Sequence, residues 1–410
     1  MKKLLLFIFF VSALHSNILQ ETIDTAPFGA TIKLPAGIYK GGIIINKPLT
    51  ILGNEDGVII DGEGIGVVIT INSSDVTLKN LTITNSGNEM YNLDSAVFIE
   101  KAKHFEISNC KILNSLYGIN MLMVEDSIIS DNFITSKENE ISLRGDALKI
   151  WHSHNNIISN NIIDKARDAN LNYSNNNKVI NNFVTNSRFG INISHSKDNI
   201  VKENTFKYNS VSLMLMMTQN TKATNNIIQS SKGAAGIGVM LKGGSNLIFK
   251  NNILRYNAKG MYIDSKWTEM GMKRYITNNE ISYNKEAIHF HLTIRNNTFT
   301  DNEFVGNIDD IVKSTAGFET KLNVVEHNYW DRYTGFDKDG DNIGDTSHKI
   351  YQYADRLWQY NNKVKFFYAS PVMALLDFLA QVAPFIEPIL LLEDKKPIVN
   401  PTVNMDSLKD

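Results

Sequence analysis

The chain has 410 residues, 41 basic against 43 acidic, one cysteine and a net charge of −2. Without a basic surplus it has no cationic face for phosphate backbones, which excludes nucleic acid as a partner. Cys110 cannot form an internal disulfide, and its place in an alternating apolar segment predicts a buried, inert thiol.

In chain order, Lys2 and Lys3 precede the apolar run Leu4 to Val11, and Ser12, Ala13 and Ser16 come after it. This order predicts an export signal over residues 1–16, with an apolar core too short to anchor in a bilayer. Export without disulfides points to a periplasm and to a fold large enough to need no staples. Ile18 to Leu34 is expected to cap the N-terminal end of the fold as a short amphipathic helix, and Pro35 to Tyr39 turns into the first strand.

No proline occurs between Pro48 and Pro371, and one phrase recurs through this stretch. It is an Asn or two followed by alternating apolar residues, as in Asn160-Asn161-Ile162-Ile163, Asn181-Asn182-Phe183-Val184 and Asn225-Asn226-Ile227-Ile228. From Asn161 to Asn182, Asn204 and Asn226 the steps are 21, 22 and 22 residues. Within each step lie short alternating segments such as Gly190-Ile191-Asn192-Ile193-Ser194, the signature of strands. A repeat of this length with three short strands makes one coil of a solenoid, its strands paired with those of neighbouring coils about 4.8 Å away. The prediction is an all-β, right-handed parallel β-helix (a pectin-lyase-like solenoid) over residues 17–307. The recurring Asn is expected to stack as an amide ladder and to take the left-handed backbone of tight corners.

Polysaccharide-cleaving β-helices need clustered aspartates for acid and base work. Their set of Asn-Thr-Asp, Asp-Asp and Gly-His-Gly on successive coils is missing (Asp309-Asp310 stands without the other two), as is Asp-Pro-His-Asp, and Gly145-Asp146 and Arg167-Asp168 read as isolated corner acids. The sequence therefore predicts a protein that is not an enzyme. It carries soft metal ligands instead. Aligned on their corners, His152, Tyr173, His195 and Met217 fall in one column, with Met214 and Met216 beside it and Met121, Met123 and Met240 in related segments. Thioether with imidazole suits copper, Cu(I) in particular. His289 and His291, alternating about Phe290, form a second candidate pair. The bland alternative is that the methionines fill the core and the histidines only hydrogen-bond.

Composition changes over residues 308–369, a C-terminal extension holding Asp337, Asp339, Asp341 and Asp345 at positions 1, 3, 5 and 9 of a loop. Such spacing converges oxygens on calcium, although Asn342 and His348 stand where an EF-hand has Gly and Glu. Residues 370–410 read as an apolar helical tail. Leu375, Leu376, Phe378, Leu379 and Phe385 are its candidate partner-binding residues, and Pro384 and Pro388 end the helix. Capping the β-helix and docking on a partner or membrane interface are both open to it.

These C-terminal residues carry a specific likeness. Asn328-Tyr329-Trp330-Asp331, the run Gly335 to Asp345, Tyr353 to Trp358, and Ser370-Pro371 with Ala374 to Leu392 resemble the NosD family, as do Arg188-Phe189-Gly190 and the repeat array upstream. The resemblance implies a periplasmic accessory protein for maturation of the copper site of nitrous oxide reductase. It also implies an ABC transporter (NosF and NosY) and the copper lipoprotein NosL as partners, with membrane contact through the transporter. The alternative reading is a carbohydrate-binding or carbohydrate-modifying β-helix.

Overall fold

A computed structural model describes residues 5–7, 18–266, 271–315, 320–352, 362–367, 370–382 and 388–401. Apart from Leu5–Phe7, the expected export signal lies outside these residues, as do Tyr353 to Trp358 and Phe385. The chain forms two compact units, Met1–Met214 and Leu215–Asp410.

In the first unit the helix Ile18–Thr25 buries Leu19 and Ile23, but the expected cap ends there, because Ala30–Leu34 is already a strand paired with Leu49–Gly53. Each coil then supplies three short strands to three parallel sheets. In the first sheet Ile129 lies over Ile158, and in the second Ile134 lies over Ile163. The third holds the longer strands Tyr117–Leu122, Leu148–Trp151, Asp168–Asn172 and Phe189–Ser194, where Met121, Ile150, Leu171 and Ile193 align. All these inward side chains are fully buried. Stacking like on like removes each from water, worth about 1.5–3 kcal/mol per large side chain. The second unit repeats the plan, with Val239, Met261, Ile288 and Ile311 aligned in its long-strand sheet.

The Asn-Asn phrase divides its labour. The first Asn sits in the left-handed region, as Asn160, Asn181, Asn225, Asn251 and Asn278 do, with φ of 52–57°. The second points inward and is buried. In the first unit Asn132, Asn161, Asn182 and Asn204 form a continuous ladder, each Oδ1 accepting both the backbone N–H and the Nδ2 of its predecessor at 2.9–3.1 Å. In the second unit the ladder is Asn226, Asn252, Asn279, Asn302 and Asn328. Cys110 occupies a ladder position, its N–H bonded to Asn132 Oδ1, and burial pushes its thiol up to about 12.

Two further boundaries differ from expectation. The coils do not stop at 307. They continue through Asp309–Lys313, Val324–Glu326 and Tyr329–Trp330. The phrase is hard to read there because Leu322 and His327 take the left-handed corners while only the inward Asn323 and Asn328 persist. Nor is 370–410 one helical tail. Pro371–Val382 is helix, but Ile389–Asp394 is a strand antiparallel to His348–Gln352. Asp394 then ends the ladder, its Oδ2 accepting from Asn328 N and Nδ2 and from Trp330 Nε1.

Candidate metal and docking sites

The corner after each long strand places one residue in the left-handed region. In the first unit these residues are Lys101, Met123, His152, Tyr173 and His195, with φ of 47–56°. Backbone bonds step from coil to coil, Met123 N to Trp151 O, His152 N to Asn172 O and Tyr173 N to Ser194 O, so the residues form one column. His152 and His195 are exposed. Their rings sandwich Tyr173, with centroids 5.2 and 5.0 Å from it and planes within 20° of parallel.

This stacking limits which of the candidate donors can share an ion. His152 and His195 are two coil spacings apart, about 10 Å. An ion held about 2 Å from each donor cannot span that, so the two are not ligands of one ion. Met123 joins the column next to His152. Spacing alone leaves it out, because 29 residues, not 21 or 22, separate the two. Met214, the last residue of the first unit, is buried at 7% exposure. In the second unit Met217 takes the same left-handed corner (φ 50°) and is 37% exposed. Its N–H bonds Lys242 O, and Gly243 and Gly244 occupy the next corner. Met216 is half-buried.

The second histidine pair does not form a metal site. His289 is buried, with Nδ1 2.6 Å from Glu286 Oε2 and Nε2 2.7 Å from Ser314 Oγ, so both ring nitrogens are engaged. Nor are the acids at 146 and 168 isolated. Arg167 bonds Asp146 Oδ1 through Nε and Nη2, Asn170 bonds Asp146 Oδ2, and Arg188 grips Asp168. Both carboxylates are buried. Burial raises the Asp146 pKa, and Arg167 opposes the rise. These guanidinium–carboxylate contacts link neighbouring coils.

In the Asp-rich loop, carboxylate oxygens of Asp337, Asp339 and Asp341 lie within 4.8 Å of one another. Asp345 is outside this group, because its Oδ2 accepts the Lys338 N–H and closes the loop. Backbone N–H groups of Gly340 and Asn342 bond Asp337 and help hold its pKa low, while Asp341 repels Asp339 and raises its pKa. The loop is tied to the segment after the strand Ile389–Asp394 by Gly344 N to Pro397 O and Val399 N to Asn342 O.

The helix Pro371–Val382 turns Met373 inward and leaves Val372, Leu375, Leu376, Phe378, Leu379 and Val382 exposed, Phe378 at 59%. At 100° per residue these six fall on one broad face, with Leu376 at its edge nearest Met373 and Leu375 and Val382 farthest from it. Of the expected partner-binding residues, Leu375, Leu376, Phe378 and Leu379 are therefore brought together. No described helix is long and apolar enough to cross a membrane.

Parallel sheets, inward aliphatic stacks and outward corner columns define a pectin-lyase-like parallel β-helix. Residues 137–335 match the model of the family described as periplasmic copper-binding protein (NosD). Two relatives named probable ABC transporter binding protein NosD support the same likeness. The one from Stutzerimonas stutzeri is 26% identical, covering 87% of this chain and 84% of its own. The one from Pseudomonas aeruginosa is 27% identical, covering 89% and 88%. The A-module of mannuronan C-5 epimerase AlgE6 from Azotobacter vinelandii superposes with a TM-score of 0.55 over 76% of this chain and 94% of its own. At 14% identity that likeness speaks for the fold alone. The NosD resemblance read from the C-terminal motifs thus extends over the coils that carry the column.

Proposed function

We propose that this chain is a NosD-type periplasmic accessory protein that handles copper and docks on an ABC transporter, without catalysing the maturation chemistry itself. Nitrous oxide reductase is the recipient the likeness implies, the copper lipoprotein NosL a partner and NosF with NosY the transporter. The observation that carries this reading is the NosD match over residues 137–335, the span that holds His152, His195, Met214, Met216 and Met217. The donor set fits copper. Imidazole and thioether are ligands Cu(I) accepts, and His152, His195 and Met217 present theirs at exposed corners.

The test is an anaerobic Cu(I) titration of the mature chain against a competing chelator. His195→Ala and Met217→Ala are each expected to weaken binding at least tenfold, about 1.4 kcal/mol, with the fold unchanged. Wild-type Cu(I) binding absent, with oligosaccharide bound instead, would favour the carbohydrate reading.

We propose a structural calcium ion at Asp337, Asp339 and Asp341, where bound charge would relieve the repulsion that raises Asp339. Calcium in excess should raise the melting temperature by roughly 2 °C, and Asp339→Asn should remove that increment. An identical melting curve with and without calcium would dismiss the ion.

A further inference from the structure

The outer face of the second unit's long-strand sheet carries a constellation that copper handling leaves unused. Glu286 and His289 lie three residues apart on the strand Glu286–Phe290, and Ser314 directly follows the neighbouring strand Asp309–Lys313. Ser314 N bonds Phe290 O, which sets the serine beside the end of the histidine's strand. Glu286 Oε2 is 2.6 Å from His289 Nδ1 and 3.0 Å from Lys259 Nζ. His289 Nε2 is 2.7 Å from Ser314 Oγ. Tyr262 stacks on the imidazole with centroids 5.1 Å apart and fixes its plane. Glu286 and His289 are buried, and Ser314 is half-exposed.

The proton assignments follow from the partners. Burial alone would favour a neutral Glu286, but His289 and Lys259 more than compensate and lower its pKa. An ionised carboxylate only accepts, so Nδ1 carries a proton, and the reactive form is the neutral ring whose Nε2 has none. Nε2 is then the acceptor, and the serine hydroxyl donates to it. A hydroxyl bonded to a base that is itself oriented by a carboxylate is the arrangement of an activated serine nucleophile.

We propose that Ser314, His289 and Glu286 form a nucleophilic triad that acts on small activated acyl esters. Ser314 Oγ bonds to the acyl carbon as its proton passes to His289 Nε2. The acyl–oxygen bond breaks, and His289 returns the proton to the leaving alkoxide. Water, deprotonated by the same nitrogen, then releases the acid and regenerates the serine. Glu286 is a positioning residue, holding the tautomer that lets Nε2 accept.

The experiment exposes the mature full-length chain to a fluorophosphonate probe and, separately, to p-nitrophenyl acetate. The expected result is an adduct mapped by peptide mass spectrometry to Ser314, absent in Ser314→Ala, with ester turnover falling at least 100-fold in that variant. Glu286→Gln should lower turnover, and Glu286→Asp should recover part of it at an unchanged melting temperature. A loss caused only by misfolding would not show that recovery. The half-exposed Ser314→Ala protects the test from a folding artefact, and its circular dichroism should match wild type. A wild-type chain whose Ser314 is no more labelled than its other serines, or whose turnover equals that of Ser314→Ala, overturns the triad. Either outcome leaves the copper titration unaffected.

Discussion

Replacing Asn279 by alanine should destabilise the chain by about 4 kcal/mol, as should the equivalent change at Asn161 or Asn182, which make the same five contacts. Asn279 Oδ1 accepts from Asn252 N and Nδ2 at 2.9 and 3.1 Å. Its Nδ2 donates to Phe249 O, Thr277 O and Asn302 Oδ1 at 2.9–3.0 Å. Alanine removes all five contacts at a site with 2% exposure, where water cannot replace them. Each orphaned buried group costs roughly 1–3 kcal/mol, and at least two are created. The neighbouring Asn278 gives the contrast. It takes a left-handed corner at φ 55°, outside the core, so Asn278→Gly should be nearly neutral, because glycine accepts that backbone without strain. Urea unfolding of the two variants beside wild type measures the difference. Equal midpoints for Asn279→Ala and wild type would mean that the ladder is ornamental.

That contrast shows how far the sequence can be read. The phrase and its spacing reveal coils, sheets and ladder because a solenoid repeats one local solution, and a repeat is visible in one dimension. The column of His152, Tyr173 and His195 is legible for the same reason. Pairings that depend on where a side chain points do not show. Spacing gives His152 and His195 a common column, but not that stacking on Tyr173 holds them a coil away on either side. Asp146 and Asp168 look solitary because the guanidinium groups that hydrogen-bond them, Arg167 for Asp146 and Arg188 for Asp168, come from the next coil. Alternation pairs His289 with His291, whereas its partners are Glu286 and a serine 25 residues downstream. The array outruns its expected end because the left-handed corner passes from Asn to Leu322 and His327. Asp394 has no precedent in the repeat at all, and its role as the ladder's last acceptor depends on a tail that returns over 64 residues to Trp330.

The same tail supports the second large effect. Leu375→Asp with Leu379→Asp should abolish transporter association while leaving the fold intact. Both side chains stand on the outward face, 58% and 42% exposed, and the inward contact is made by Met373 at 5%. Surface substitutions away from packed contacts usually change stability by no more than about 0.5 kcal/mol, so the melting curve of the double variant should overlay wild type. Association is different. A chain in water gains nothing by facing Val372, Leu375, Leu376, Phe378, Leu379 and Val382 toward it, and a contiguous apolar patch of this kind marks an interaction surface. Burying carboxylates against an apolar groove is costly in proportion to their desolvation. Loss of an anchor residue at such a centre is worth about 2 kcal/mol or more, at least about 30-fold in Kd. Pull-down or interferometry with NosF/NosY in nanodiscs reads the loss, and empty nanodiscs of the same lipids separate transporter capture from adsorption to the bilayer. Undiminished binding by the double variant would move the docking surface off this helix and leave its apolar face unexplained.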